Sequence, residues 1–231
     1  MKTLRPTCAR FLLLLGAVAF TALPVTSQTY PPGDDPRDGL APGLADPGVA
    51  ASGMRLVSHA GKAPAFDSIS GLTFANSDLA FRGDYVYQGN FSGFSIWNVS
   101  DPTRPTLASV YPCVTSQGDP SIYGDLLFIS AEGRGNRNDC AKGGVEDPSE
   151  HMAGVRIFDV SDPESPRLVK NVQTCKGSHT HTLIPSPDDP GVVYIYVSGN
   201  QGAREELEGC VNGEDPADPD NSLYRLDVIR V

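Results

Sequence analysis

Positive charge is scarce in this chain: 18 Lys and Arg stand against 28 Asp and Glu, a formal net charge of −10. Such a surface gains no counterion release from a phosphate backbone or an anionic membrane, which excludes a nucleic-acid role. Sugars, cations or a basic protein partner stay open. Cysteine occurs five times and never as CxxC, so a zinc knuckle or a thioredoxin-type redox pair has no basis. G-x-S-x-G is missing, and Gly133-Arg134-Gly135 lacks the third glycine and following helix of a phosphate cradle. The longest apolar run, Phe11 to Phe20, is well short of the roughly 20 residues that cross a bilayer.

That short run is informative in another way. Lys2, Arg5 and Arg10 precede or open it, and small and polar residues from Ala22 to Ser27 follow it. This is the order of a secretory signal peptide over residues 1–27, with cleavage before Gln28. The expectation is a secreted, periplasmic or cell-surface protein without a membrane span after cleavage. Removing Lys2, Arg5 and Arg10 leaves 15 basic residues against 28 acidic ones, for a mature balance of −13. Cys8 leaves with the signal, and Cys113, Cys140, Cys175 and Cys210 remain. An even count in an oxidising compartment reads as two disulfides. Residues 28–53 hold Pro, Gly, Asp and Ala with few large apolar side chains, which predicts a flexible leader.

An internal repeat organises residues 54–231. Gly93-Phe94-Ser95-Ile96-Trp97-Asn98-Val99-Ser100-Asp101-Pro102 returns as Gly154-Val155-Arg156-Ile157-Phe158-Asp159-Val160-Ser161-Asp162-Pro163. Leu223 to Val228 reads as a third, partial copy. Upstream, the segment Asp78 to Tyr87 matches Asp119 to Phe128, and His181 opens a third such stretch. Repeats near 40 residues mean arrays or propellers. Each unit reads as four short strands, the first as Asp78–Phe81, Tyr85–Gln88, Phe94–Val99 and Thr106–Tyr111. The Ser-Asp-Pro-x-x-Pro segment is turn chemistry, because Asp caps its own backbone and Pro forbids ladder pairing. Phe94 and Ile96 alternate with Ser95, Trp97 and Val99, so both faces carry apolar residues, as a sheet packed between two others requires. The fold class is therefore all-β: a β-propeller, or part of one, built from four-stranded antiparallel blades.

The repeat also locates insertions, one between Phe128 and Gly154 and one from Gly199 to Asn221, the latter with a helical turn at Ala203–Glu208. Cys113 and Cys175 both end a fourth strand, while Cys140 and Cys210 both lie in the insertion that follows. The pairing that preserves the repeat is Cys113–Cys140 and Cys175–Cys210. Met54-Arg55-Leu56-Val57 resembles Arg167-Leu168-Val169, and the expectation is an outer strand that closes the ring from the N-terminus. With that strand counted, the repeat stops inside its third unit, just after Asp227-Val228 where a Ser-Asp-Pro turn is due, so the expectation is a propeller left incomplete at the C-terminus by truncation rather than one completed by partner chains.

On the Gly93–Pro102 and Gly154–Pro163 units the sequence resembles the LVIVD repeat family of secreted or surface bacterial and archaeal proteins. The resemblance covers residues 54–231 and implies a β-propeller fold without implying an activity. The family's first strands often begin with His-Asp-Val; here His181 alone keeps the histidine.

The sharpest local signal is His179-Thr180-His181. On a strand the two imidazoles would share one face, and with Asp119 and Asp78 at the start of the other inner strands they form a candidate divalent-metal set. Propellers of the methanethiol oxidase (selenium-binding) type use histidines near the channel, so a copper-type oxidoreductase is the enzyme alternative. The competing account is a His-rich strand start that hydrogen-bonds to neighbouring blades. Asp215, Asp218, Asp220 and Asn221, with Glu214, form an acidic loop with oxygen ligands suited to calcium, although Pro216 and Pro219 break the EF-hand spacing. No cofactor is required by any motif. The leading functional reading is an exported binding or interaction scaffold that uses its insertion-bearing face for a protein or carbohydrate partner.

Overall fold

A computed structural model describes residues 33–43, 46–133, 135–141, 143–213, 215–218 and 220–231. The signal segment 1–27 and the cleavage position at Gln28 lie outside the described residues. The described part of the leader carries turns only, such as the one in which Asp35 Oδ1 accepts from Arg37 N at 2.9 Å.

Leu56–Val231 forms one compact unit of three antiparallel sheets. The first contains β1 (Asn76–Arg82), β2 (Tyr85–Asn90), β3 (Gly93–Asn98) and β4 (Thr106–Pro112), in chain order. The second contains β5 (Pro120–Tyr123), β6 (Leu126–Ala131), β7 (Gly154–Asp159) and β8 (Arg167–Gln173), again in chain order. The third is ordered β11-β10-β9, from β9 (Thr182–Pro185), β10 (Val193–Val197) and β11 (Asp227–Arg230). Among the described residues helical structure is limited to short 3-10 turns, and no helix is long and apolar enough to cross a membrane.

The local chemistry explains the strand boundaries. In the Ser-Asp-Pro turns, Asp101 Oδ1 accepts from Thr103 N at 3.0 Å and Asp162 Oδ1 from Glu164 N at 3.0 Å, which turns β3 into β4 and β7 into β8. The repeated glycine is fixed by crowding. Gly93 and Gly154 have φ of 149° and 148°, and a Cβ on either would sit 2.1 Å from the carbonyl oxygen of Tyr111 or Val172.

Alternation along the second sheet holds the stack together. Leu127 and Ile129 point with Phe158 and Val160 toward Tyr87, Phe94 and Ile96 of the first sheet. Phe128, Val155 and Ile157 point the other way, toward Val193, Ile195 and Val197 of the third. The middle sheet is thus apolar on both faces, and each fully buried Leu, Ile or Phe contributes roughly 1.5–3 kcal/mol through burial. Phe94, Tyr111 and Phe158 form an aromatic cluster across the first junction, with ring centroids 4.9–5.5 Å apart. Arg82 clamps the same junction, donating to the carbonyls of Val160 at 2.6 Å and Gly124 at 2.9 Å.

Three details differ from the sequence reading. Met54–Val57 is not paired into any of the sheets, and residues 54–63 carry no regular structure. Leu223 and Tyr224 belong to a 3-10 turn, because Asn221 caps it by accepting from Leu223 N at 3.0 Å; β11 starts only at Asp227. Val197 pairs with Asp227 as Ala131 pairs with Gly154, so Asp227 takes the place of Gly154 rather than of Asp159. Finally, Ala203–Glu208 forms successive tight turns, Leu207 N to Arg204 O and Cys210 N to Leu207 O, with no helical turn.

Candidate functional site

Each insertion leaves its sheet after the second strand and returns before the third. Cys113 lies against Cys140 and Cys175 against Cys210 at disulfide distance, with Cα atoms 4.5 Å and 5.4 Å apart. Buried polar side chains fix the loops from beneath. Asn136 donates to Thr115 O at 2.9 Å and accepts from Ser116 Oγ at 3.0 Å. Arg204, buried in the second insertion, reaches the Gln173 side chain of the second sheet and the carbonyl of Ala153 at the end of the first insertion.

The two insertions meet at Glu132. Asn200 Nδ2 and Gln201 Nε2 both donate to Glu132 Oε1, the latter at 3.1 Å. His179 Nδ1 lies 3.1 Å from Glu132 Oε2, and His179 Nε2 lies 2.9 Å from the Gln117 amide. Burial alone would raise the Glu132 carboxyl, but the Asn200 and His179 contacts outweigh it and hold the group below its ordinary range. The His179 side chain is 47% exposed, so this cluster of amides, carboxylate and imidazole opens to solvent beside both insertions. No sequence motif marks Glu132, Gln117, Asn200 or Gln201; their only signal is position, next to strand ends where the insertions or inner strands begin.

His181 is placed differently. Residues 179 and 180 form a bend and β9 starts at Thr182, so the strand alternation that would align the two imidazoles is absent. The β9 register also aligns Thr182, not His181, with Asp119, because Tyr196 pairs with Thr182 as Ser130 N bonds Asp119 O. The His181 side chain is wholly buried, with Nε2 2.5 Å from Ser121 Oγ and Nδ1 2.8 Å from Ser130 Oγ. Its backbone N donates to Asp119 Oδ2 at 3.0 Å, and Nδ1 lies 3.4 Å from the same oxygen. Burial lowers His181 to about 4. Burial also raises Asp119 to about 6, with the nearby Asp78 carboxyl pushing the same way against the His181 N–H.

Asp78, Asp119 and His181 are therefore brought together at the start of the inner strands, whereas His179 turns to Glu132. Both His181 nitrogens are engaged by serine hydroxyls of the second sheet, which makes the ring a latch between the second and third sheets. Among the described residues no three His, Cys, Asp or Glu side chains are grouped to hold a metal ion.

The acidic loop folds back on its own backbone. Asp215 Oδ1 accepts from Ala217 N at 2.8 Å, and Asp218 Oδ1 from Asp220 N at 2.9 Å. Asn221 donates to the carbonyls of Gly213 and Asp215 at 2.9 and 2.8 Å. Asp218, Asp220 and Asn221 line an open cleft of about 320 Å³ together with Tyr224 and Arg225. Glu214 lies outside the described residues.

The LVIVD repeat family matches residues 75–112 and 151–174. The first span takes in all four strands of the first sheet, and the second takes in β7 and β8. No curated protein matches the chain.

Proposed function

We propose that this chain, two stretches of which match the LVIVD repeat family, is an exported β-propeller scaffold that binds a carbohydrate at its insertion-bearing end. In this reading the signal peptide 1–27 is removed, 28–53 is a leader, and the sheets of 54–231 are blades stacked around a common axis. The two-sided apolar packing of the middle sheet supports the blade assignment. Two cysteine pairs at disulfide distance fit an oxidising compartment outside the cytoplasm.

The observation that carries the binding reading is the meeting of both stapled insertions at Glu132. A carboxylate flanked by the amides of Gln117, Asn200 and Gln201 and by an imidazole offers paired donors and acceptors, as adjacent sugar hydroxyls require. Disulfides that hold the loops before binding lower the ordering cost of association. The oxidoreductase alternative has no comparable support, since the two histidines serve different partners.

Glycan-array screening of the mature chain, followed by titration calorimetry on the best hit, tests the proposal. Glu132→Gln and His179→Ala are each expected to weaken binding at least tenfold, about 1.4 kcal/mol. An array without hits, or hits untouched by both substitutions, overturns it.

A further inference from the structure

The amide groups around Glu132 are oriented alike. Asn200 Nδ2 and Gln201 Nε2 donate to Glu132 Oε1, and Gln117 Nε2 lies 2.9 Å from His179 Nε2. Asn200 Nδ2 also lies 3.3 Å from His179 Nδ1. The amide nitrogens are thus directed at the carboxylate and the imidazole. Their oxygens, Asn200 Oδ1 and the Oε1 atoms of Gln117 and Gln201, make no hydrogen bond among the described residues. Asn200 is exposed, and Gln117 and Gln201 are half-buried, so these acceptors lie within reach of a ligand.

The same cluster carries negative charge, and among the described residues no Lys or Arg pairs with Glu132. Burial raises the Glu132 carboxyl, but the Asn200 and His179 contacts hold it below its ordinary range, so it is a carboxylate at neutral pH. Its side chain is 15% exposed, and two of the groups that hold it are neutral amides. Asp119 is a second carboxyl within range of His179. The neighbouring basic groups are engaged elsewhere. Lys176, whose carbonyl accepts from Gln201 N at 3.1 Å, sends its ammonium to Leu223 O at 2.8 Å. Arg204 is buried against Gln173, Ala153 and Glu206.

An acceptor-rich, anionic site discriminates among sugars. A hydroxyl both donates and accepts, so bare amide oxygens and a carboxylate use only its donor half. An ammonium is the matching group: it has three N–H donors and no acceptor, and its hydrogen bonds to a carboxylate are charge-assisted. It also supplies the opposite charge that a mostly buried carboxylate requires. The excess of acidic residues steers cationic ligands toward the same surface.

We propose that the Glu132 site selects glycans that carry a free amino group. The sugar ammonium sits on Glu132 Oε2, and the amide oxygens around it take the remaining N–H and O–H donors. Acetylation of the amine removes the charge and two donors, so N-acetylated sugars bind less tightly. Uronic acids are rejected, because their carboxylate meets Glu132.

This rests on the carbohydrate reading of the site and adds the class of sugar to it. The test is titration calorimetry with short glucosamine oligomers, their N-acetylated forms and glucose oligomers of the same length, at slightly acidic pH where the sugar amine is protonated. The glucosamine oligomer is expected to bind at least tenfold more tightly than the other two, and Glu132→Gln is expected to abolish that preference. Asp84→Asn removes the same charge from an exposed hairpin turn at the opposite end of the strands, and it is expected to keep the preference. Equal binding of the three sugars through a Glu132-dependent site overturns the amine selectivity and leaves the carbohydrate reading standing. A preference weakened equally by both substitutions marks diffuse attraction of a polycation and overturns it as well. Failure of every glycan to bind removes both readings.

Discussion

The guanidinium of Arg156, in the third strand of the second sheet, donates at 2.7 Å to the carbonyl of Arg137 in the first insertion. The same group reaches Val114 O at 3.3 Å and Asn171 Oδ1 at 3.0 Å, and its side chain is fully buried. Burial lowers its pKa to about 10, which leaves it charged at neutral pH. In the first sheet the same repeat position is Ser95, and there no insertion follows the second strand. The arginine thus replaces a serine where a loop must be held by its backbone carbonyls.

Arg156→Met is expected to cost about 2–3 kcal/mol, because the substitution removes charge-assisted hydrogen bonds and leaves buried carbonyls unpaired. The effect reads as a melting temperature lowered by several degrees, with faster amide exchange around residues 136–139. A melting curve that superimposes on the parent's would show that the guanidinium anchors nothing.

Removing Cys113 and Cys140 together frees a loop of 27 residues, and removing Cys175 and Cys210 frees one of 35. Each double serine variant is expected to lose about 4 kcal/mol at most through chain entropy, while the sheet dichroism persists. Non-reducing peptide mapping reads the connectivity directly, and a Cys113–Cys175 peptide would contradict the register.

Much of the fold was legible because it repeats. The strand alternation at Phe94 and Ile96, the Ser-Asp-Pro turns and the two cysteine pairings all follow from counting equivalent positions. The third unit was less legible: the β9–β10 hairpin is longer than Gly83-Asp84 or Gly124-Asp125, and the second insertion ends in a 3-10 turn. Two register cues therefore slipped, at His181 and at Leu223–Val228. The Glu132 cluster could not be read at all. Its contacts join side chains up to 69 residues apart, and amides carry no spacing rule of the kind that metal ligands do. The sequence offers His181 both as a metal ligand and as a strand start that hydrogen-bonds to neighbouring blades, and nothing in the chain's pattern marks Ser121 and Ser130 as its partners.

N-terminal sequencing of the protein recovered outside the cytoplasm is expected to begin near Gln28, since the charged, apolar and small-residue zones come in signal order. Intact Met1 on protein from the cytosol would end the export reading.

The His181–Asp119 pair predicts a compensated pH response. His181 has a folded value of about 4 against 6.5 when exposed. As pH falls from 6.5 to 4 the unfolded chain takes up a proton that the folded ring refuses, so this group's contribution to stability is lost on acidification. Asp119 runs the other way, with a folded value of about 6 against 3.8. Over that window the folded state binds the proton first, so its contribution grows as pH falls. Between pH 4 and 6 the two slopes oppose each other, so the net contribution of this pair to the parent chain's stability is expected to be nearly flat. Asp119→Asn leaves the histidine slope alone, so that variant loses stability steadily toward pH 4; His181→Gln leaves the carboxyl slope, so that variant gains relative to its own neutral value. Urea denaturation midpoints across the window separate the three curves. Parallel curves would mean that the two groups do not titrate as a buried pair, and the latch between the second and third sheets would then rest on the serine hydroxyls alone.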